Sequence, residues 1–323
     1  MVTSMIDKFV HYPVWSLVRT VEKLRRKTYR SSAFQSFRRR FHISSTPIQR
    51  PIFIIGTVRS GKTTLAKLLG NHPSIMYVGH ELTTEWCDLA EIEIARSKNN
   101  KAHCPPYTEL EATKTRCHRV RNGFADILAS KGGGRQTRFL DDNPHLWNKL
   151  SFVRKIFPDA HLIIASRDIR STVASAKLLW INGNATTGKR YYFPQNHAHC
   201  WSVIPPASPD AMEARRIFPG GDIAVLAEYW LHTHLMIEEA MNDFDATVLV
   251  KHGALVADAD ATLAEMCEAI NLSPLRCLVP ELDATRNDRW REILTPQEQQ
   301  GLEAFIESNR ARIERLQCAE TTL

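Results

Sequence analysis

A strand-like run, a glycine-bounded loop and a helix, in that order, constrain the fold of this chain more than any other feature. The run PIFII ends at Ile55, and residues 56–63 read GTVRSGKT. This octet fits G-x-x-x-x-G-K-[ST], the pattern of phosphate-binding loops in which backbone N–H groups close around a phosphate. The following segment predicts a helix whose positive N-terminus faces the same anion. The pattern predicts an α/β domain that binds a nucleotide, without identifying which one.

The rest of the chain alternates strand-like and helix-like segments in the same way. Apolar runs predict further strands at 74–78, 138–142, 161–167 and 247–251. Helical periodicity predicts helices at 63–73, 85–98, 111–131, 145–157, 169–181, 222–243, 258–271 and 296–316. Such alternation is typical of a parallel, doubly wound sheet. We therefore predict an α/β, three-layer P-loop fold over residues 51–323, with a central parallel sheet flanked by helices.

The first 50 residues differ from this domain in charge. They contain eleven Lys and Arg and two acidic residues, a surplus of nine positive charges, whereas the whole chain carries +7. Apolar residues at helical spacing between positions 5 and 27 add an amphipathic pattern. We interpret residues 1–50 as a basic N-terminal helical arm. Two arrangements remain open: peripheral contact with an anionic membrane through residues 1–45, or packing on the domain with the basic face in water.

Composition argues against several other classes. The chain is 43% hydrophobic and 24% charged, and it has no run of about 18 apolar residues that would cross a membrane. Its start lacks the apolar core of a secretory signal. Seven scattered cysteines favour a reducing compartment over a disulfide framework. We expect a cytoplasmic protein, held at the membrane surface if the arm binds lipid, with no nucleic-acid partner. The oligomeric state stays open.

A second motif suggests that the nucleotide carries two separate phosphate groups. The strand-like run HLIIAS leads into RDIRSTVAS, which puts Arg167 at the strand's end and Ser175 eight residues later in a helix. An Arg fork and a Ser hydroxyl are both suitable phosphate donors. Together with the first loop they suggest 3′-phosphoadenosine 5′-phosphosulfate (PAPS), the sulfuryl donor. From these residues alone a second interpretation remains open, in which Arg167 and Asp168 form a solvent-exposed pair and Ser175 is only part of a helix.

These motifs resemble those of PAPS-dependent sulfotransferases, nearest the bacterial and tyrosylprotein-type branch of the P-loop sulfotransferase superfamily. The resemblance runs over residues 51–316 and includes FPDAHLIIASRD, NDRWREILTPQE and LVKHGALVADADATLAEMCEAINL, with His252 where Glu is usual. It implies transfer of a sulfuryl group from PAPS to a hydroxyl or amine without a metal ion. It also implies that PAPS is bound by Arg59, Ser60, Gly61, Lys62, Thr63, Thr64, Arg167, Ser175, Arg289 and Trp290.

The resemblance also points to catalytic groups. Gly79-His80-Glu81 stands where the tyrosylprotein branch has Gly-Glu-Glu and uses the second Glu, so we predict Glu81 as general base with His80 as the alternative. A helix-capping role for Glu81 stays open. The family's lysine near the end of the third strand is replaced by Asp142, while Lys62 occupies the position of a family threonine. We predict that Lys62 supplies the missing charge, with Asp142 orienting its ammonium group.

Two other functions remain open at this stage. Lys62 with Asp141 or Asp142 as a Mg²⁺ ligand would suit a P-loop kinase or NTPase. The basic arm would suit a nonenzymatic, membrane-associated binding protein. We expect no metal site, because the run His197-Ala198-His199-Cys200 lacks a fourth ligand at a suitable spacing.

Residues 182–220 interrupt the strand–helix alternation and are rich in Gly, Pro, Asn, His and aromatic residues. A loop of this length in a compact domain is usually a lid or binding loop. We predict that it lines the acceptor site. Its aromatic residues suggest an apolar or ring-bearing acceptor, and a small molecule, a lipid and a carbohydrate all remain open.

Overall fold

The structure of the protein, a computed structural model, describes residues 47–94, 104–184, 189–195, 199–202, 216–275 and 282–318. Within these residues, five parallel strands form one sheet in the order β2-β3-β1-β4-β5. The strands are β1 Ile52–Ile55, β2 Ile75–Tyr77, β3 Arg138–Asp141, β4 His161–Ser166 and β5 Ala246–Lys251. The predicted α/β fold with a central parallel sheet is confirmed. Residues 1–46 of the basic arm lie outside the described residues.

Helices connect the strands and cover the sheet. They are α1 Lys62–Leu69, α2 Thr83–Ala90, α3 Lys114–Ser130, α4 Leu150–Ile156, α5 Ile169–Ile181, α6 Ile223–Met241, α7 His252–Ala257, α8 Ala259–Ala269, α9 Trp290–Ile293, α10 Pro296–Ser308 and α11 Arg310–Cys318. Short 3₁₀ turns occupy Glu109–Glu111, Trp147–Lys149 and Ala284–Asn287. No helix in the described ranges has both the length and the apolar character needed to cross a membrane.

The sheet is buried on both faces, which explains its continuous apolar strands. Along β1, Ile52 and Ile54 pack into one hydrophobic cluster, whereas Phe53 and Ile55 pack into another. Successive side chains of a strand point to opposite faces, so the two clusters lie on opposite sides of the sheet. The side chains of β4 divide between the same two clusters. Helices supply the remaining members of each cluster, which gives the predicted three layers.

Capping residues divide two helical stretches at points that the apolar periodicity does not mark. The predicted helix 258–271 corresponds to α8 alone, and α7 precedes it. The two helices meet at Asp258, which is extended and accepts a hydrogen bond from the Ala261 N–H. The predicted helix 296–316 is divided at Asn309 between α10 and α11. Apolar positions continue across the second break, so their spacing did not reveal it.

The register of β1 against β4 sets the position of the phosphate loop. Ile55 pairs with Ile164, so Gly56 and Ala165 are the next residues along the two strands. A Cβ atom on Gly56 would lie 2.3 Å from the Ala165 carbonyl oxygen, and its φ is 150°. Glycine is therefore required at this close approach. Arg167 follows β4 at the same edge of the sheet, where the carboxyl ends of parallel strands form a crevice.

Candidate active site

The loop between β1 and α1 has a backbone suited to anion binding. Arg59 has a φ of 68° and Gly61 a φ of 96°, both in the left-handed region. Turns of this kind form concavities into which successive N–H groups point. A Cβ atom on Gly61 would lie 2.7 Å from the Cδ2 atom of His252, so α7 packs directly against the loop. Glycine at position 61 is thus required by both conformation and space.

Lys62 begins α1 and is almost completely buried. Its ammonium group donates hydrogen bonds to the carbonyl oxygens of Gly56, at 3.0 Å, and of Thr57. Burial lowers the pKa of Lys62 to about 8, against the opposing effect of the negative charges of Glu81 and Asp142. The ammonium group is therefore oriented by the loop's own carbonyl oxygens. Asp142 acts on it through charge rather than through a direct hydrogen bond.

Arg59 connects the two predicted phosphate motifs. Its Nε donates a hydrogen bond of 2.8 Å to the Oγ of Ser175, which lies 116 residues further along the chain. Arg167 donates from Nη1 to the Arg59 carbonyl oxygen at 3.4 Å. The Arg167 carbonyl oxygen in turn accepts a hydrogen bond of 3.1 Å from the indole N–H of Trp230. The fold thus brings the phosphate loop and the RDIRSTVAS motif into direct contact.

A pocket of about 430 Å³ opens at this edge of the sheet. Most of the predicted site residues line it: Arg59, Gly61, Lys62, Thr63, Thr64, Glu81, Arg167, Ser175, Arg289 and Trp290. Ser60 and His80 are not among the lining residues. Ser60 is buried, and the Nδ1 of His80 lies 3.2 Å from the Val78 carbonyl oxygen. Of the two candidate bases, Glu81 is the one in the pocket wall.

The C-terminal segment is tied to α5 by charged pairs. Arg170 donates to both carboxylate oxygens of Glu303, at 2.5 and 2.6 Å. Lys177 donates to Glu298 at 2.7 Å. These contacts join α5 to α10. The short helix α9 directly precedes α10 and lies beside the pocket. Trp290, the first residue of α9, is buried and lines the pocket.

A second cavity of about 500 Å³ shares part of the wall of the first. Arg167, Ser171 and Trp290 line both cavities. The hydroxyl of Ser171 donates a hydrogen bond of 2.6 Å to the Asn287 carbonyl oxygen. The guanidinium group of Arg291 lies 4.3 Å from the Trp290 ring centroid, in the range of a cation–π contact. The two cavities together offer a polar, partly aromatic site larger than a single phosphate requires.

Part of the 182–220 segment forms an aromatic wall of the pocket. The rings of Tyr191 and Trp201 stack at a centroid distance of 4.2 Å and an interplanar angle of 4°. An antiparallel bridge between Tyr192 and Ser202 joins two described stretches of this segment, 189–195 and 199–202. Tyr191 and Trp201 both line the pocket, and His199, which is described, does not. His197 lies outside the described residues.

Several residues of the pocket wall were missed by the sequence analysis. They are Val58, Pro144, Ser171, Leu178, Leu179 and Ile293. His252 also lines the pocket, and the only signal for it was its place where Glu is usual. Val58 and Ile293 lie within quoted motifs but were not singled out there, whereas Leu178 and Leu179 belong to no motif and only the fold reveals them.

The two carboxylates at the end of β3, Asp141 and Asp142, do not line the pocket. Asp141 is buried and accepts hydrogen bonds from the Trp86 indole N–H, at 2.7 Å, and from the Leu82 N–H, at 3.3 Å. Burial raises the pKa of Asp141 to about 8. Asp142 is also buried and accepts a hydrogen bond of 3.2 Å from the Tyr77 hydroxyl. Both carboxylates therefore accept hydrogen bonds inside the protein and lie outside the pocket wall.

Comparisons with known proteins bear on this site. Residues 51–221, slightly more than half of the chain, match a family described as the sulfotransferase family. A sulfotransferase from Alicyclobacillus acidocaldarius is 14% identical with a TM-score of 0.50, over 83% of this chain and 96% of that one. The sulfotransferase STF1 from Mycobacterium tuberculosis H37Rv is 16% identical with a TM-score of 0.46, over 85% and 80%. Among proteins with curated descriptions, none matches the sequence. The similarity to the Alicyclobacillus structure concerns the fold alone.

Proposed function

Because the chain belongs to the sulfotransferase family, we propose that it transfers a sulfuryl group from PAPS to a hydroxyl or amine of a small-molecule, lipid or carbohydrate acceptor. The observation that carries the proposal is the meeting of two phosphate motifs in one pocket. Arg59 of the phosphate loop donates a hydrogen bond to Ser175, and Arg167 donates one to the Arg59 carbonyl oxygen. PAPS is a nucleotide with phosphate groups at both its 3′ and 5′ positions, so it suits two adjacent phosphate sites.

The donor would be held from both ends. The phosphate loop and the N-terminus of α1, with Thr63 and Thr64 in the pocket wall, suit the 5′-phosphosulfate. Arg167 and Ser175 suit the 3′-phosphate, because a guanidinium fork and a hydroxyl donate to phosphate oxygens. Trp290 lines both cavities and offers an aromatic surface to the rest of the nucleotide.

The chemistry is an in-line displacement at sulfur. The acceptor oxygen or nitrogen forms a bond to sulfur while the bond from sulfur to the bridging oxygen of the 5′-phosphate breaks. Glu81 takes the proton from the acceptor, and 3′,5′-ADP leaves with the electron pair of the broken bond. Lys62 and the loop N–H groups stabilise the negative charge that develops on the departing phosphate. No step requires a metal ion.

The acceptor side of the pocket favours an apolar or ring-bearing molecule. Tyr191 and Trp201 form a stacked aromatic wall. Val58, Leu178 and Leu179 add apolar surface to the same pocket. Pockets of this kind bind a ligand largely through apolar contact and use few polar groups to orient it.

Nucleotide choice tests the proposed function. We expect 3′,5′-ADP to raise the melting temperature of the full-length protein. At a concentration one hundred times its dissociation constant, it should raise the free energy of unfolding by about 2.7 kcal/mol. ATP with Mg²⁺ should have a much smaller effect. The measurement is thermal denaturation with each nucleotide. Incubation with labelled PAPS and a panel of acceptors would then identify the acceptor class.

The other outcomes of this experiment select the other functions. Stabilisation by ATP–Mg²⁺ alone would support the P-loop kinase or NTPase, for which Lys62 is the specific argument. The contacts of Asp141 with Trp86 and Leu82 weigh against that function, because they occupy one of the two carboxylates that could hold Mg²⁺. No response to either nucleotide would support a nonenzymatic binding protein.

Replacing Arg167 by Ala should weaken binding of 3′,5′-ADP by about 1.5–3 kcal/mol, the range for a hydrogen bond to a charged group. Adenosine 5′-phosphosulfate lacks the 3′-phosphate, so its affinity should change much less. Isothermal titration of both ligands into the parent and the variant measures the two losses. Arg312→Ala, an exposed site on α11, is the matched control and should bind both ligands as the parent does. Equal losses for the two ligands in Arg167→Ala would contradict the assigned contact.

A further inference from the structure

A buried cluster of two thiols and an imidazole lies beneath the aromatic wall of the pocket. Cys104, His145 and Cys200 are each at most 1% exposed. One potential ligand atom from each, the two Sγ atoms and a ring nitrogen of His145, lies within 4.8 Å of the other two. The three residues come from distant parts of the chain: the loop before α3, the loop after β3 and the 182–220 segment. No step of the proposed sulfuryl transfer uses any of them.

The geometry of this cluster suits a tetrahedral zinc ion. Cys104 Sγ and His145 Nδ1 are 3.6 Å apart. Zinc with sulfur at about 2.3 Å and nitrogen at about 2.0 Å would separate these ligand atoms by about 3.5 Å. Thiolate and imidazole are ligands that zinc prefers, and carboxylates, which would favour harder cations, are absent from this described cluster. We propose that Cys104, His145 and Cys200 bind one Zn²⁺ ion.

Neighbouring polar groups complete the surroundings of the ion. The amide oxygen of Asn148 lies 3.2 Å from Cys200 Sγ, close enough to take the fourth position itself or to hold a water there. The ammonium group of Lys149 lies 3.5 Å from Cys104 Sγ and supports a thiolate at that atom. Its charge is also held by the Pro105 carbonyl oxygen and the Asn148 amide oxygen, each at 2.7 Å. The two thiolates would balance the two charges of the ion, and the Lys149 ammonium adds one positive charge at the edge of the site.

The position of the cluster gives the ion a role in shaping the acceptor wall. Pro144 and Trp201, which are sequence neighbours of His145 and Cys200, line the pocket. The His145 ring lies 4.5 Å from the Trp201 ring. The Cys200 N–H donates to the Cys104 carbonyl oxygen at 3.2 Å, so the backbones already meet here. A zinc ion would tie the 182–220 segment to the domain at the base of the Tyr191–Trp201 wall.

The sequence predicted no metal site, so this proposal departs from that expectation. That expectation considered only the neighbours of Cys200 in sequence, and His199 is not part of the cluster. The two further ligands lie 96 and 55 residues before Cys200, a spacing that matches no short zinc motif. Only the fold brings them together.

Metal analysis of the full-length protein tests the proposal. Protein produced in zinc-supplemented medium should contain about one zinc ion per chain. Cys200→Ser and His145→Ala each remove a ligand and should weaken zinc affinity by more than about 100-fold. Losing a residue that only hydrogen-bonds a metal ligand typically costs up to about 100-fold. Cys267→Ser, a buried thiol outside the cluster, is the matched control and should keep its zinc. Zinc retained at full content in Cys200→Ser would overturn the assignment.

A second measurement covers the case in which these variants fail to fold. The parent protein, stripped with a chelator and loaded with Co²⁺, should show thiolate-to-cobalt charge-transfer absorption and the visible bands of tetrahedral cobalt. Absence of zinc from the parent together with absence of these bands would overturn the proposal. So would a Cys104–Cys200 disulfide in protein whose free thiols were alkylated during cell lysis.

Discussion

Replacing Lys62 by Thr is expected to cost about 2–4 kcal/mol of transition-state stabilisation, or roughly 30- to 800-fold in the rate of sulfuryl transfer, as loss of one preorganised donor typically does. Lys62 is buried in the pocket wall and already hydrogen-bonded to two carbonyl oxygens of the phosphate loop. It is therefore oriented before the reaction begins, and little reorganisation is needed as charge develops on the phosphate. The measurement is steady-state turnover of PAPS with the acceptor that screening identifies.

A double variant separates the charge of Lys62 from its contacts with the loop. Lys62→Thr with Asp142→Lys returns a cation to the end of β3, and it should recover part of the lost rate if the charge is what matters. Lys67→Thr, an exposed lysine on the same helix, is the matched control and should turn over at the parent rate. A Lys62→Thr variant as active as the parent would end the proposed role.

The pKa of Lys62 gives this prediction a pH signature. Burial lowers the pKa to about 8 in the free protein. Only the protonated ammonium stabilises a departing phosphate, so kcat/KM for PAPS should fall as the pH rises through about 8. Lys62→Thr should lack this basic limb. If the pH profile of kcat/KM for Lys62→Thr keeps its basic limb at the same pH, that limb belongs to another group.

Replacing Glu81 by Gln is expected to lower the rate of sulfuryl transfer by about 10²–10⁴-fold, the usual contribution of a general base. The amide keeps the size of the carboxylate but does not accept the acceptor's proton. Glu81 lines the pocket with Lys62, whereas His80 does not line it. Binding of 3′,5′-ADP should change little, because the base acts on the acceptor side. The assay is turnover of PAPS, with titration of 3′,5′-ADP into the same samples.

The matched comparisons for Glu81 are Glu265→Gln and His80→Gln. Glu265 is exposed on α8, outside the pocket, and its variant should turn over normally. His80→Gln should retain most of the activity if Glu81 is the base. A large loss in His80→Gln with near-normal turnover in Glu81→Gln would reverse the assignment of the base. The negative charge of Glu81 raises the pKa of Lys62, so Glu81→Gln should also move the basic limb of kcat/KM to lower pH.

Local features of the sequence were sufficient for much of the fold. The apolar strand PIFII, the glycines of GTVRSGKT and the helix after them form adjacent elements whose conformations depend on neighbouring residues. Gly61 adopts a left-handed conformation, as such loops require. The order of strands and helices then restricted the domain to a parallel sheet with helices on both faces. The sequence also identified the excess charge of residues 1–50, because charge needs no knowledge of conformation.

The arrangement of the site depended on contacts between distant segments. Arg59 meets Ser175 because β1 and β4 are neighbours in the sheet and both end at one edge. His80 and Glu81 are adjacent in sequence, yet only Glu81 lines the pocket, since the backbone after β2 determines which way each side chain points. From the sequence Asp141 is a candidate metal ligand, but in the fold its buried carboxylate accepts hydrogen bonds from Trp86 and Leu82.

What the sequence determined by itself was the α/β architecture and the presence of two phosphate motifs, because each rests on short-range periodicity or backbone chemistry. Only the tertiary structure decided which residues share the pocket wall, and that Cys104 and His145 lie beside Cys200. A contact between residues far apart in the chain depends on strand register and on the packing of intervening helices. Neither property leaves a local pattern that can be identified in one sequence.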